Sequence, residues 1–189
     1  MSFTRSQSEL LIKLAREAIA AKFENVSSPP EPLDSNWLTE RKACFVTLML
    51  NQQLRGCIGS LNAIRSLWQE VWNNAQAAAF SDPRFPPLEK PELDHLLIEI
   101  SVLTQPKQIS VESETELLQR LRPGRDGLVI EEGDRRATFL PSVWVQLPEP
   151  ERFLAQLKRK AGLSEDYWSD QISCSLYQVD KISEQNRAS

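Results

Sequence analysis

Residues 43–60 read Ala43-Cys-Phe-Val-Thr-Leu-Met-Leu-Asn-Gln-Gln-Leu-Arg-Gly-Cys-Ile-Gly-Ser60. The first eight form a nearly unbroken apolar run bounded by polar residues. A run of that length predicts a strand, and its lack of alternation predicts burial on both faces. Asn51-Gln52-Gln53 turns the chain, and Leu54–Ser60 is predicted as the strand's hairpin partner. Gly56 and Gly59 are unusual inside a strand. They mark a bulge or a place where something approaches the backbone closely.

Outward from this hairpin, helices and strands interleave without a regular βαβ period. Ser6 and Glu9 form a capping-box pattern ahead of the apolar stripe Leu10, Leu11, Leu14, Ala15, Ala18, Ile19, which predicts a first helix. A loop is expected over 25–36. Ala63–Phe80 carries Ile64, Leu67, Trp68, Val71, Trp72, Ala75 and Ala79 at helical spacing. Ser81-Asp-Pro-Arg-Phe-Pro-Pro87 is a stiff, defined loop, because three of its residues are proline. Pro91–His95 is read as a short turn and Leu96–Thr104 as a second long buried strand. Ser113 and Glu116 open a further helix, Gly127–Glu131 and Arg135–Leu140 form a hairpin, Pro150–Ala161 is a helix ended by Gly162, and Ser173–Val179 is a last strand. The fold class is therefore α+β, with a largely antiparallel sheet and flanking helices. Residues 6–180 form one domain and 181–189 a polar tail.

Composition narrows the function. The 189 residues suffice for one sizeable core, and the net charge of −4 gives no basic field for nucleic acid. No apolar run approaches the roughly 18–20 residues that span a bilayer, and the first residues lack the pattern of a signal peptide. With three cysteines, an odd number, no disulfide framework is expected, so the chain is placed in the cytoplasm with free thiols. The single histidine and the absence of a C-x-x-C pair argue against a zinc site, and neither metal nor cofactor is expected.

Four groupings hold chemistry. Arg55 and Cys57, two apart on a strand, are expected on a common face, where the guanidinium would favour the thiolate. Cys57 is then a nucleophile or part of an anion site with Gly56 and Gly59 leaving space beside it. The competing reading is a buried structural cysteine. Asp82 and Arg84, on the proline loop, serve recognition, or pair with each other, or make an Asx turn. Gly124-Arg-Asp-Gly127 lacks the phosphate-loop pattern and is a turn, with Arg125 facing a shared site as the functional alternative. His95 is read as a satisfied surface or core residue, and the basic stretch Lys158-Arg-Lys160 as a solvated helix end.

Taken in order, Leu54-Arg-Gly-Cys-Ile-Gly59, Asn74–Phe80 with Asp82–Leu88, Ile98–Thr104, Gly124–Ile130 and Ala137–Trp144 resemble the AMMECR domain family over about residues 6–180. Arg55, Gly56, Cys57 and Gly59 match its most specific motif, and Asp82, Arg84, Gly124, Gly127 and Pro141 match the other blocks. The resemblance implies a larger and a smaller lobe with a cleft between them, and Memo-type and radical-SAM proteins as partners. It supplies no agreed catalytic residue. The expected function is a ligand- or partner-binding module in which Arg55, Arg84 and Arg125 meet an anionic small molecule or a partner segment. A thiol enzyme using Cys57, and a nucleic-acid-associated regulator, are the alternatives.

Overall fold

The apolar run at 44–50 is a strand, but only one of its faces is buried. Cys44, Val46 and Leu48 are buried, whereas Phe45, Thr47 and Met49 are half-buried. This corrects the expectation of burial on both faces. Phe45 and Met49 are apolar, so the alternation is invisible to a hydrophobic count, and it becomes visible only once helices are seen to cover a single side.

The structure, a computed structural model, describes residues 3–26, 28–31 and 35–184. The loop expected over 25–36 lies partly outside these, and so does the end of the tail. In chain order the elements are α1 (Arg5–Phe23), α2 (Asn36–Thr39), β1 (Cys44–Leu50), β2 (Gln53–Gly59), α3 (Leu67–Phe80), a 3-10 turn (Lys90–His95), β3 (Leu96–Leu103), β4 (Lys107–Ile109), α4 (Glu114–Arg120), β5 (Gly127–Glu132), β6 (Arg135–Phe139), a second 3-10 turn (Pro141–Val145), α5 (Pro150–Lys160), β7 (Ser173–Tyr177) and β8 (Val179–Ser183). Residues 181–183, assigned to the tail from sequence, thus belong to a strand. The chain divides into two compact units, 1–103 with 180–189, and 104–179.

The first unit is a four-stranded sheet in the order β2-β1-β3-β8, so β2 and β8 are its edges. β1 is antiparallel to both β2 and β3. α1 and α3 pack together and over this sheet. The core joins Leu11, Leu14, Ala18 and Ile19 of α1, Val71, Trp72, Ala75 and Ala79 of α3, and Val46, Leu48, Ile98 and Ile100 of the sheet. Helix starts differ slightly from expectation. The capping box of α1 is Thr4 with Gln7, not Ser6 with Glu9, because Glu9 pairs with Arg5 instead. α3 starts after Ser66, whose hydroxyl accepts the Gln69 amide, and leaves Ile64 59% exposed. From the middle of α1, Arg16 donates to the carbonyls of Leu93 and Leu96 and pairs with Glu184, which fastens the helix to the end of β8.

The second unit holds the sheet β4-β7-β5-β6, again antiparallel in every pairing. Its core gathers Leu117 and Leu121, Leu128 and Ile130, Trp144, and Phe153, Leu154 and Leu157. Trp144 stacks on Phe153 with ring centroids 3.7 Å apart. Lys158, read from sequence as part of a solvated helix end, is buried. Its ammonium donates to both carboxylate oxygens of Glu114 at 3.0 Å and to the Tyr167 carbonyl.

Gly56 decides how closely α3 lies on the sheet. A Cβ there would stand 2.1 Å from the Ala78 carbonyl oxygen, a backbone atom that cannot rotate away. Gly56→Ala is expected to cost about 1–3 kcal/mol by overpacking, read as a lower denaturant midpoint at unchanged slope. An unchanged midpoint would mean that α3 does not press on β2 as described.

Candidate functional site

Gln53–Gly59 is an edge strand with one irregularity. Leu48 pairs with Gly56 and Met49 with Leu54, so Arg55 is the extra residue of a β-bulge. The bulge breaks the alternation from which a shared face for Arg55 and Cys57 was argued. Gly56 turns to α3, while Cys57 stands opposite Thr47 on the face away from the helices. Gly59 lies opposite Phe45, and a Cβ there would strike the Phe45 ring at 2.4 Å. The spaces left by the two glycines are therefore filled by a helix carbonyl and an aromatic ring.

Arg55 is engaged on every side. Its Nε and Nη2 donate to the two oxygens of Glu92 at 2.7 and 3.0 Å, and Nη1 donates to the Pro86 carbonyl at 3.0 Å. A longer bond of 3.4 Å reaches the Pro87 carbonyl. This fork-on-carboxylate geometry is the strong form of ion pair. It raises the Arg55 pKa and lowers that of Glu92, each chiefly through their mutual hydrogen bonds. Glu92 also accepts the Glu89 amide, which caps the 3-10 turn.

Asp82 and Arg84 close the strand edge. The Cys57 amide donates to Asp82 Oδ2 at 2.9 Å, and Arg84 Nη2 donates to the Cys57 carbonyl at 3.3 Å. The two side chains also hold each other, with Arg84 Nη2 2.7 Å from Asp82 Oδ2 and Nε 3.0 Å from Oδ1. The Arg84 amide completes an Asx turn onto Oδ1 at 3.1 Å. Asp82 is buried, while the Arg84 side chain is 54% exposed. The guanidinium hydrogen bonds hold the Asp82 carboxyl far below the usual carboxylate range. Burial opposes them, and the two amides assist. Arg84 is raised in turn by the carboxylate.

Cys57 is a half-buried free thiol. Its sulfur accepts the Thr47 hydroxyl proton at 3.3 Å. Among the described residues no imidazole or carboxylate is hydrogen-bonded to that sulfur, and His95 is exposed at the end of its turn. The other cysteines differ. Burial pushes the Cys44 thiol up to about 12, with an Asn74 hydrogen bond opposing and Glu70 adding to the rise. Burial alone pushes Cys174 up to about 11. Asn74 and Glu70 are buried and hydrogen-bonded, and Glu70 in turn meets the exposed Arg65.

Arg125 belongs to the second unit, exposed on its turn. The organising residue of that turn is Asp126. Both its oxygens accept from Arg122, and Gln178 approaches Oδ1 at 3.4 Å. Burial works against the ionised form, but these bonds outweigh it and lower the Asp126 pKa. Sequence reasoning missed Glu92, Thr47 and Asp126 as partners. Among the described residues no group of three His, Cys, Asp or Glu could hold a metal ion, and no helix is long and apolar enough to cross a membrane.

Two antiparallel sheets with flanking helices, and a glycine-bearing edge strand strapped by an Asp–Arg loop, define an α+β protein of a known architecture. The structure of the uncharacterized protein PH0010 from Pyrococcus horikoshii matches it with a TM-score of 0.76 and 34% identity, over 94% of this chain and 91% of that one. The AMMECR1 family model matches residues 12–182, and the chain belongs to that family. Relatives include a protein of Methanopyrus kandleri, 36% identical over 92% of this chain and 86% of its own length. A protein of Sulfolobus acidocaldarius is 41% identical over 84% of this chain and 72% of its own.

The Asp82 geometry gives a pH dependence. Its folded-state pKa lies below the unfolded value of about 3.9, so its contribution is complete above that pH and is lost as pH falls through the folded value. Stability of the parent relative to Asp82→Asn, measured by urea unfolding, is expected to be constant from pH 8 to about 5 and to shrink below about 4. A difference that does not narrow in acid would remove the ionised pair from the account. Thiol labelling gives a second check. Cys57 is expected to react first with a maleimide on the folded chain, and the fast phase should vanish in Cys57→Ser, because Cys44 and Cys174 are buried.

Proposed function

We propose that this chain is a binding module whose contact surface is the face of the first sheet turned away from α1 and α3, and that its partners are Memo-type and radical-SAM proteins. One observation carries the reading. Phe45, Met49, Leu54 and Leu97 share that face by register, and none belongs to either core. Leu54 is 39% exposed. Between them run Thr47 with Cys57, and Glu99 with Lys181. Apolar side chains grouped around a few polar ones suit recognition of another protein. The motif's own charges are spent internally, Arg55 on Glu92 and Arg84 on Asp82, so they shape this surface more than they attract an anion. Arg84, half-exposed, is the group best placed to meet an anionic part of a ligand or partner.

A second reading, thiol chemistry at Cys57, is favoured by its being a half-buried free thiol, in contact with the Thr47 hydroxyl, while the other two cysteines are buried. It lacks a contacting base, which is why binding is preferred.

Titration calorimetry against the Memo-type and radical-SAM proteins of the same genome tests the proposal. Leu54→Lys with Leu97→Glu is expected to weaken binding by at least about tenfold, or 1.4 kcal/mol, with the fold intact by circular dichroism. No binding by the parent, or equal binding by the double variant, overturns the proposal.

A further inference from the structure

β2 is an edge strand, and an edge presents backbone donors and acceptors to any extended chain that comes alongside. Across the ladder Cys57 faces Thr47, with its amide and carbonyl directed outward, away from β1. In an antiparallel sheet a neighbouring residue at such a position would accept the N–H and donate to the C=O. Asp82 and Arg84 do both. The carboxylate accepts the amide at 2.9 Å, and the guanidinium donates to the carbonyl at 3.3 Å. One side-chain pair thus reproduces the hydrogen-bond complement of a strand residue.

The surrogate is well anchored. Asp82 is 1% exposed and tied to Arg84 by two further bonds. The loop that carries it is held at its other end by Arg55 on the Pro86 and Pro87 carbonyls. Pro83, Pro86 and Pro87 have no amide hydrogen, so the loop cannot itself grow into a fifth strand. The strand it covers has no lysine or proline of its own, and its register runs without interruption from Gly56 to Gly59.

We propose that the Asp82–Arg84 pair is an edge guard, and that β2 without it pairs with β2 of a second copy of this chain, antiparallel about a two-fold axis at Cys57. A second copy is the fitting partner because the uncovered position offers one donor and one acceptor. A two-fold axis brings the same pair against it in complementary order. This uses the edge of β2 and is independent of the sheet face proposed above for binding.

Sedimentation velocity over a concentration series, combined with hydrogen exchange at the Cys57 amide, tests the inference. The parent is expected to keep one size throughout, with a slowly exchanging Cys57 amide. Asp82→Ala with Arg84→Ala, which removes both the acceptor and the donor, should exchange that amide about tenfold faster when dilute. As concentration rises its mass should double reversibly, with the amide protected again. The double variant remaining at parental size while folded overturns the proposal, as does association that leaves the Cys57 amide unprotected. Should the double variant fail to fold, Asp82→Ala alone decides by the same two readings. It frees the Cys57 amide and leaves the Arg84 guanidinium without the carboxylate that holds it on the carbonyl.

Discussion

Much of the first unit hangs on the hydrogen bonds that Asp82 and Arg84 make to the backbone of Cys57. A strand at the margin of a sheet must satisfy its outward groups with water, with another strand or with side chains. Here a buried carboxylate and its guanidinium do so, and each neutralises the other. That contact places the proline loop, and the proline carbonyls in turn receive Arg55. Arg55 then fixes Glu92, which caps the turn leading into β3. Four ionisable residues from three segments form one connected set of bonds, in which no charge is left over.

That cancellation changes what the Leu-Arg-Gly-Cys-Ile-Gly segment means. Arginines beside glycines suggest an open anion site. Here the glycines admit a helix carbonyl and a phenylalanine ring, and the arginines are consumed by carboxylates. The segment is specific because several constraints meet in six residues: close helix approach at Gly56, ring cover at Gly59, and a bulge that turns Arg55 toward the loop. Cys57 is left as a thiol held by a hydroxyl, among side chains that neither core claims.

The hairpin, the α+β class and the lack of regular structure over the proline loop were legible because each depends on local residue types. The Asp82–Arg84 pairing was among the alternatives, since its members stand two apart. Arg55 could not be assigned to Glu92, 37 residues away, because nothing in either neighbourhood marks the other. Thr47 was hidden in an apolar run. The burial of Lys158 depends on Glu114, 44 residues earlier, and a basic helix end gives no hint of it. The half-buried row of β1 was obscured because Phe45 and Met49 are as apolar as the residues facing the helices.

The first unit is discontinuous, for its fourth strand comes from residues beyond the whole second unit. A ribosome delivers β1, β2, α3 and β3 early and β8 last. Until then β3 has an uncovered margin, and Arg16 lacks the Glu184 carboxylate that β8 brings. The second unit, being continuous, is complete in the nascent chain before the first can close. Closure of the sheet therefore waits on residues 179–183, and a chain truncated before them leaves the first unit with an open seam however well the rest has formed.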